Sequence, residues 1–290
     1  MALTPQEPGA GVRLEISPQS FERFARHITG TLGIKMNSGK VSMLQSRLLR
    51  RLRELRLASL EEYQEYLFHS ADAQEEQVQF INAITTNKTD FFREPQHFTF
   101  LTETALPEIA RLHGDPASWR ANIWCAGCSS GEEPYTLAMV LAEYARTHPG
   151  FDFSIFATDI STRVLQHAEA GIYDEDRIAP VSLQLRRSYF LRSKDPSKHL
   201  VRVIPELRSR VRFRRLNFMD ADYGVHERFD LISFRNVMIY FDRPTQEAVI
   251  SRLCRNLIRG GYLFVGHSES LAGLNVPVEP VTSATFRKPC

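Results

Sequence analysis

The sequence predicts an α/β protein built on a doubly wound, mostly parallel sheet, with an N-terminal all-α domain and a small inserted antiparallel β subdomain. Three observations support this fold class. Short apolar runs alternate with amphipathic helical stretches over most of residues 91–290, whereas residues 15–90 show helical periodicity throughout. Residues of about 175–208 break the alternation with two extended runs around a polar turn. The predicted domains are therefore residues 15–90 and 91–290, after a disordered tail at residues 1–14.

The N-terminal domain is predicted to contain four helices. Ser17-Pro18 begins the first and Gly33 ends it, and a second begins at Val41. Ser59 and Glu62 have the spacing of a capping box and begin the third. The fourth is predicted at residues 72–84.

The second helix carries a one-sided charge. Its arginines outnumber its acids by five to one, which gives about +4 over residues 41–57. Surface charge on a helix often does no more than solvate it. Like charges at helical spacing repel one another by a few tenths of a kcal/mol per pair, however, so an acidic partner is favoured. DNA is the rival partner, but the companion helices are not basic. The predicted docking residues are Arg47, Arg50, Arg51, Arg53 and Arg56.

Residues 122–137 predict a strand, a glycine turn and a helix. Gly127 and Gly131 allow a ligand to approach the turn, which lacks the Gly-Lys-Ser/Thr of a phosphate-binding loop and the three glycines of a pyrophosphate-binding turn. Glu132 and Glu133 at the helix start would repel a phosphate. The turn therefore favours a cationic or zwitterionic ligand.

The next apolar run, residues 153–157, is followed by Asp159, which is placed to accept hydrogen bonds from a ribose diol. Together with the glycine turn, this acid indicates S-adenosylmethionine, which has an adenosine, a sulfonium and an amino-acid tail but no phosphate. The alternative is a packed βα unit that is capped by carboxylates.

The parallel strands continue at residues 211–216 and 229–234, which end at Asn217 and at Arg235-Asn236. Ligands bind at this edge of open α/β sheets. A helix is predicted from Arg243 to Leu257, stopped by Gly260-Gly261, and is followed by a strand at residues 262–266. Residues 276–287 are predicted to close the sheet as an antiparallel edge pair.

Composition limits the possible partners and location. The net charge of +2 is too small to indicate nucleic acid, and no apolar run approaches the roughly 20 residues that span a bilayer. Neither a signal-peptide pattern nor a dense cysteine framework is present, so a reducing cytoplasm is expected. Cys125 and Cys128 are interpreted as small packing residues, because zinc would require two more ligands. The nine histidines are scattered, and no metal site is expected.

Three longer motifs occur in order along the chain: NKTDFFR from Asn87, SSGEEPY from Ser129 and RNVMIYFD from Arg235. Their order, spacing and flanking domain resemble the chemotaxis receptor glutamate methyltransferases (the CheR family). The resemblance covers essentially everything after the N-terminal tail.

This resemblance implies that S-adenosylmethionine methylates glutamate side chains on the cytoplasmic helices of chemoreceptors, leaving S-adenosylhomocysteine. A glutamate with a pKa of about 4.3 is already an anion, so the reaction needs no general base or metal. Arg93 would hold the acceptor carboxylate in a forked pair, and Tyr240 would orient it. The implied cofactor-binding residues are Asn87, Thr89, Arg93, Glu133, Asp159, Asn217, Phe218, Arg235 and Asn236.

The resemblance also implies that the inserted β subdomain grips a receptor C-terminal tail. The loop SKDPSKH is polar and basic here rather than glycine-rich. We expect a monomer that inserts into no membrane and binds no nucleic acid. The alternatives are a methyltransferase for another protein or small carboxylate, and a catalytically inactive docking module that senses the cofactor.

Overall fold

A computed structural model describes residues 15–114 and 118–290, so the predicted tail at residues 1–14 lies outside the described residues. Contacts divide the chain into two compact units, of which the first ends at Thr86 and the second begins at Asn87. The sequence analysis placed this boundary slightly later, after residue 90. No helix in the described ranges is long and apolar enough to cross a membrane.

The first unit is helical, as predicted. Ser17 caps its first helix by accepting a hydrogen bond from the backbone N–H of Ser20, and Ser59 caps the third through the N–H of Glu62. Gly33 ends the first helix in the left-handed region with φ of 68°. The helices are α1 (Pro18–Leu32), α2 (Val41–Leu55), α3 (Leu60–His69) and α4 (Ala73–Ile84). Their core includes Phe24, Leu48, Tyr63, Leu67 and Phe80.

The second unit contains two sheets. Its strands are β1 (Trp119–Ala126), β2 (Phe151–Asp159), β3 (Ile172–Asp174), β4 (Phe190–Arg192), β5 (Leu200–Val203), β6 (Val211–Arg215), β7 (Phe229–Phe234), β8 (Leu257–Val265), β9 (Glu279–Thr282) and β10 (Thr285–Arg287). The large sheet has the order β6-β2-β1-β7-β8-β10-β9. The first five of these strands are parallel neighbours, and β10 pairs antiparallel with both β8 and β9. The doubly wound sheet with an antiparallel edge pair is thus confirmed.

Helices connect and flank the strands of the second unit. They are α5 (Gln96–Phe100), α6 (Leu106–Leu112), α7 (Glu132–Thr147), α8 (Thr162–Ala170), α9 (Leu183–Tyr189), α10 (Pro205–Arg208) and α11 (Arg243–Asn256), with a π-helical stretch (Leu101–Ala105) between α5 and α6. Side chains of successive strand residues point to opposite faces of a sheet. Accordingly, Ile123 belongs to a core with Leu137 of α7, whereas Trp124 belongs to a core with Leu253 of α11.

The small sheet has the order β3-β5-β4 and is antiparallel. The predicted hairpin corresponds to β4 and β5, and the inserted subdomain is confirmed. β3 was not predicted, because it has only three residues, of which Tyr173 alone is buried.

The prediction that Gly260-Gly261 stops the last long helix is wrong. α11 ends at Asn256, and both glycines lie inside β8. Gly260 has φ of 76°, and a Cβ atom on Gly261 would lie 2.9 Å from the carbonyl oxygen of Asp230. Gly261 therefore marks a close approach between β8 and β7, and Gly260 marks one between β8 and Leu112, rather than the end of a helix.

Candidate functional site

The predicted site residues follow the carboxyl ends of four adjacent parallel strands. β6, β2, β1 and β7 lie side by side in the sheet. Asn217, Gly127 and Arg235 follow the carboxyl ends of β6, β1 and β7, and Asp159 is the last residue of β2. Because parallel strands end at the same edge, the four loops share one side of the sheet, where open α/β sheets bind ligands.

The glycine turn after β1 is held close to its neighbours. Gly127 has φ of 86°, and a Cβ atom there would lie 2.5 Å from Cγ2 of Val237. The backbone N–H groups of Gly127 and Cys128 both donate to the carbonyl oxygen of Thr158 on β2, at 2.8 and 2.9 Å. Gly131, with φ of 98°, precedes α7. Only glycine fits the first position without strain.

Cys128 and Cys125 are both buried and free, and they lie in the hydrophobic core. Burial raises the pKa of each thiol well above its usual range. These features agree with a packing role.

Asp159 at the end of β2 is buried and hydrogen-bonded. Its Oδ2 accepts from the N–H of Ser129 at 2.9 Å, and its Oδ1 accepts from the N–H of Ser161 at 3.0 Å. Burial raises the pKa of this carboxyl group, although the N–H donors oppose the shift. An ionised carboxylate has about four acceptor positions, so acceptor capacity remains for a ligand.

The two acids at the start of α7 differ in role. Glu132 is almost fully buried and accepts hydrogen bonds from Nη2 of Arg177 at 2.5 Å and Oγ of Ser130 at 2.6 Å. Arg177 neutralises this carboxylate, so Glu132 has a structural role, whereas Glu133 is the acid predicted to bind the cofactor. Glu133 accepts from Oγ of Ser233 at 2.5 Å and pairs with Nη1 of Arg235 at 3.4 Å.

Arg235 connects separate parts of this edge. Its buried guanidinium forms ion pairs with Glu94 at 3.0 Å and with Glu133 at 3.4 Å, and it donates to the backbone carbonyl of Arg93. A buried cation is stable only when it is well paired. Its Nε atom has no hydrogen-bond partner within the described part of the chain. Arg235 therefore binds the segment around Arg93 to α7.

Glu94 was missed by the sequence analysis and is a second connecting residue. Its Oε1 accepts from Nδ2 of Asn236 at 3.3 Å and from the N–H of His267 at 3.2 Å. Asn236 itself has φ of 59°, in the left-handed region that asparagine tolerates better than most side chains. No local pattern marks Glu94, because its partners lie far away along the sequence.

Glu94 also belongs to a cluster with His97 and His267, whose potential ligand atoms lie within 4.8 Å of one another. Sequence analysis expected no metal site and did not find this cluster. Burial and the charge of Arg235 lower the pKa of His97. Arg235 lies 3.0 Å from the Glu94 carboxylate and already neutralises it. A metal ion at this position would be repelled by that guanidinium, so we assign the cluster to the hydrogen-bond network of the site.

The segment that begins the second unit is anchored to the glycine turn. The carbonyl of Asn87 accepts from Oγ of Ser129 at 2.9 Å, and the carbonyl of the buried Thr89 accepts from Nη2 of Arg177 at 2.7 Å. Arg93 donates from Nη1 to the carbonyl of Lys88 at 3.2 Å. The first motif is thus joined to the second.

The remaining predicted residues lie on two other loops of this edge. Asn217 accepts from the N–H of Met219 at 3.0 Å, and the buried ring of Phe218 packs on Phe234 with 5.0 Å between ring centroids. Tyr240 ends a short 3₁₀ helix (Met238–Tyr240) and is partly buried against the second core.

In the first unit, the arginines of α2 differ from one another. Arg51 is held by Glu76 of α4 at 2.5 Å and by Glu54, and Arg47 donates to Thr86 at 2.6 Å and to the carbonyl of Ile84. When Glu76 is counted together with Glu54, the five arginines face two acids, and the net charge of this surface is about +3 instead of the +4 obtained from residues 41–57 alone. Arg50 and Arg53 are exposed, as is Arg56, which caps the end of α2, and Arg50 pairs with Glu54 at 2.7 Å.

A mostly parallel sheet with an antiparallel edge pair, a glycine turn after β1 and an acid at the end of β2 fits the class of S-adenosylmethionine-dependent methyltransferases. More particularly, the chain belongs to the CheR methyltransferase family. Residues 87–286 match the family model described as CheR methyltransferase, SAM binding domain, and residues 19–85 match the CheR methyltransferase, all-alpha domain.

Curated relatives agree with this assignment. The chain is 41% identical to the chemotaxis protein methyltransferase of Salmonella typhimurium over 90% of this chain and 87% of the relative. It is 37% identical to chemotaxis protein methyltransferase 2 of Pseudomonas aeruginosa, covering 98% of each chain. It is also 37% identical to the chemotaxis protein methyltransferase of Borreliella burgdorferi, covering 96% of each.

The residues present fit S-adenosylmethionine, the cofactor of this family. Gly127 allows the turn after β1 to pack closely against Val237 of the loop after β7, and the Asp159 carboxylate retains acceptor capacity for hydroxyl groups. The Nε atom of Arg235 is a buried donor without a partner in the described ranges. When bound, this cofactor supplies a methyl group on a sulfonium, and the chain's own residues bind and orient the reactants.

Proposed function

We propose that this protein methylates glutamate side chains on the cytoplasmic helices of chemoreceptors and forms glutamate methyl esters. Its relatives are chemotaxis protein methyltransferases, which supports a substrate in that pathway. The observation that carries the proposal is the anchoring of Arg93, through its carbonyl oxygen, to the Arg235 network at the cofactor edge. This contact holds the backbone of Arg93 at the cofactor edge, and its guanidinium would face an acidic substrate there.

The cofactor would be held by groups from all four loops. Asp159 would accept hydrogen bonds from the ribose hydroxyls, and Glu133 would lie near the ammonium group of the amino-acid tail. The unpartnered Nε of Arg235 would face the carboxylate of that tail. The other groups assigned to cofactor binding are Asn87, Thr89, Arg93, Asn217, Phe218 and Asn236.

The acceptor glutamate needs alignment rather than deprotonation. Its side chain has a pKa of about 4.3 and is ionised at neutral pH, so the enzyme must mainly bring it in line with the methyl group. Arg93 uses one of its five N–H donors on Lys88, which leaves donors for a carboxylate. Tyr240 would orient the same carboxylate through its hydroxyl group.

The proposal assigns receptor docking to the exposed arginines of α2, Arg50, Arg53 and Arg56. Methylation sites lie on helices that carry other acids, so a basic surface favours encounter and register. The partly or fully paired Arg47 and Arg51 would instead support the helix itself.

The inserted sheet offers a second contact for a receptor C-terminal tail. β4 lies at the edge of the small sheet, and an edge strand can pair with an added extended segment. Leu191 on β4 is 52% exposed and would contact such a segment. A receptor fragment without its tail should then show a higher KM for methylation, and an unchanged KM would exclude this contact.

The proposed function is tested by incubating the protein with a receptor cytoplasmic fragment and tritiated S-adenosylmethionine. Label that enters the receptor and is released by base as methanol identifies a glutamate methyl ester. Label that enters only other proteins or small carboxylates would identify a different methyltransferase. Binding of S-adenosylhomocysteine without any transfer would identify a cofactor-sensing docking module.

A further inference from the structure

Glu269, in the loop after β8, holds two neighbouring loops through one buried carboxylate. Glu269 is only 6% exposed. Oε2 accepts from the backbone N–H of Asn236 at 2.8 Å and from that of Gly266 at 2.7 Å. Oε1 accepts from the N–H of Ile239 at 3.3 Å. The loop after β8 is thereby connected to the loop after β7.

The loop after β7, residues 235–240, has an irregular conformation that needs such support. Asn236 lies at φ of 59°, which is disfavoured for a residue with a side chain, and the following turn is a single 3₁₀ helix. The N–H groups of Asn236 and Ile239 would be left without their acceptor if Glu269 were removed. Both hydrogen bonds are partly buried, and N–H groups that are shielded from water are costly when unpaired, so the loop would move.

We propose that Glu269 is a positioning residue for methyl transfer, which acts through the backbone of residues 235–240 to place Asn236 and Tyr240. This inference rests on the proposed function for the roles of those two residues. Glu269 itself is not assigned to the cofactor or to the acceptor. It lies on a different loop from the residues it supports, so no sequence motif containing Arg235 includes it.

Glu269→Gln is the most informative substitution because it keeps the size of the side chain. A carboxylate can accept hydrogen bonds on both oxygens, whereas an amide has one oxygen and one NH₂ group. In either orientation of Glu269→Gln, an NH₂ group faces a backbone N–H, and at least one N–H loses its acceptor. Glu269→Asp keeps both oxygens with a shorter reach and should retain part of the function.

Asp230 provides a matched control for burial. It is 2% exposed, and its Oδ2 accepts a hydrogen bond from the N–H of Asn122 at 2.7 Å. Its Oδ1 is hydrogen-bonded to Nε2 of His113 at 2.6 Å. It lies near the start of β7, whereas the supported loop follows the end of that strand. Asp230→Asn should therefore lower overall stability without a specific effect on residues 235–240.

The first measurement is backbone amide hydrogen exchange with the full chain. In Glu269→Gln, protection of Ile239, of Asn236 or of both, according to the orientation of the amide, should fall at least tenfold relative to amides in the centre of β7, and S-adenosylhomocysteine should bind about tenfold more weakly. In Asp230→Asn, the ratio between the loop and β7 should stay unchanged. Equal loss of protection throughout Glu269→Gln would overturn the proposal.

The second measurement is a double-mutant cycle with Tyr240→Phe. Displacing an aligned group by about 1 Å can cost up to about a hundredfold in rate, so Glu269→Gln should lower kcat at least tenfold. In the Tyr240→Phe background, the same change should cost much less, because both variants affect one hydroxyl group. Fully additive losses, or an unchanged kcat in Glu269→Gln, would contradict positioning of Tyr240.

These readouts separate the inference from the proposed function. If the wild-type protein methylated no receptor glutamate, the proposed function would fail, but amide protection and S-adenosylhomocysteine affinity would still decide whether Glu269 orders the loop. If Glu269→Gln does not fold, Glu269→Asp serves instead, with partial loss expected only at residues 235–240. A Glu269→Asp variant with wild-type protection and wild-type kcat would then overturn the inference.

Discussion

Asp159 shows how one buried side chain can be prepared for a ligand before the ligand arrives. Two backbone N–H groups fix its carboxylate, and the strand end that carries it belongs to the cofactor edge. Fixed acceptors lose little conformational entropy when they bind hydroxyl groups. The affinity for the cofactor should therefore depend strongly on this one carboxylate.

Asp159→Ala should weaken binding of S-adenosylhomocysteine by about 1.5–3 kcal/mol for each charge-assisted hydrogen bond that is lost. Isothermal titration calorimetry measures this change. Asp152→Ala is the control, because Asp152 lies on the same strand but is partly exposed and pairs with Arg210. Equal affinities of the wild type and Asp159→Ala would exclude a role for Asp159 in binding the ribose.

The pH dependence of cofactor binding should also report on Asp159. Burial raises the pKa of this carboxyl group, so it takes up a proton at a higher pH than an exposed aspartate does. Protonation removes a charged acceptor, and the affinity should therefore fall as the pH decreases through that raised pKa. Asp159→Asn should bind weakly, with little pH dependence over the range in which the wild type loses affinity. A parallel decline in both proteins would assign the titration to another group.

Tyr240→Phe should separate alignment from cofactor binding. Loss of the hydroxyl removes a group proposed to orient the acceptor, so kcat should fall about ten- to a hundredfold, while the Kd for S-adenosylhomocysteine changes less than about twofold. Tyr144→Phe is the control, since that ring packs against His148 and Phe151 away from the cofactor loops. Full turnover of Tyr240→Phe at saturating receptor would exclude the orienting role.

At the scale of single elements, the sequence predicts those whose signals are local. α1 and α3 could be placed because a serine caps the start of each, and Gly33 in the left-handed region ends α1. Gly260-Gly261 misled the analysis, because the same residue type also serves where two backbones approach closely. The need for glycine in β8 depends on Asp230 of β7, which the local pattern does not contain.

In the candidate site, too, the sequence predicts only the residues that a local pattern marks. Asp159 and Arg235 could be proposed because each follows an apolar strand, and strand ends are visible in the sequence. Glu94, His97 and Glu269 could not, because their functional contacts reach across the fold; Glu94 and Asn236 are 142 positions apart. Such contacts depend on the three-dimensional arrangement of the loops. Neither the periodicity of apolar residues nor a sequence motif specifies that arrangement.

α2 is the element for which charge makes a direct prediction. Arg50 and Arg53 are exposed, so changing both to Glu should raise the KM for receptor several-fold and leave the Kd for S-adenosylhomocysteine unchanged. Raising salt to physiological strength should lower wild-type activity more than that of the double variant, because exposed charges are screened beyond about 8–10 Å.

Arg26→Glu is the control for this charge reversal, since it changes a charge on α1 instead of α2. It should alter KM much less than the double variant does. DNA is the competing partner of α2, and a gel-shift titration tests it. Salt-sensitive binding to duplex DNA, together with receptor methylation that is insensitive to salt, would overturn the docking assignment.

At the scale of the whole molecule, cofactor binding and receptor docking are assigned to different compact units. Every residue proposed to hold the cofactor lies in the unit from Asn87 to Cys290, and the exposed arginines of α2 lie in the unit that ends at Thr86. Each unit has buried aromatic residues of its own, including Phe24 and Phe80 in the first and Trp124 and Phe264 in the second. A compact unit with its own core can fold alone.

A fragment of residues 85–290 should therefore bind S-adenosylhomocysteine with an affinity close to that of the full chain, while its KM for receptor rises at least tenfold. The fragment keeps Asn87 away from a new charged terminus, and the hydrogen bond between its carbonyl and Ser129 lies wholly inside the fragment. Calorimetry gives the affinity, and circular dichroism with thermal melting confirms that the fragment folds. Asp159→Ala in the fragment is the control and should weaken binding as it does in the full chain.

A folded fragment that methylates receptor with the KM of the full chain would show that the helical unit does not dock the substrate. A folded fragment that binds no S-adenosylhomocysteine would show that the helical unit contributes to the cofactor site.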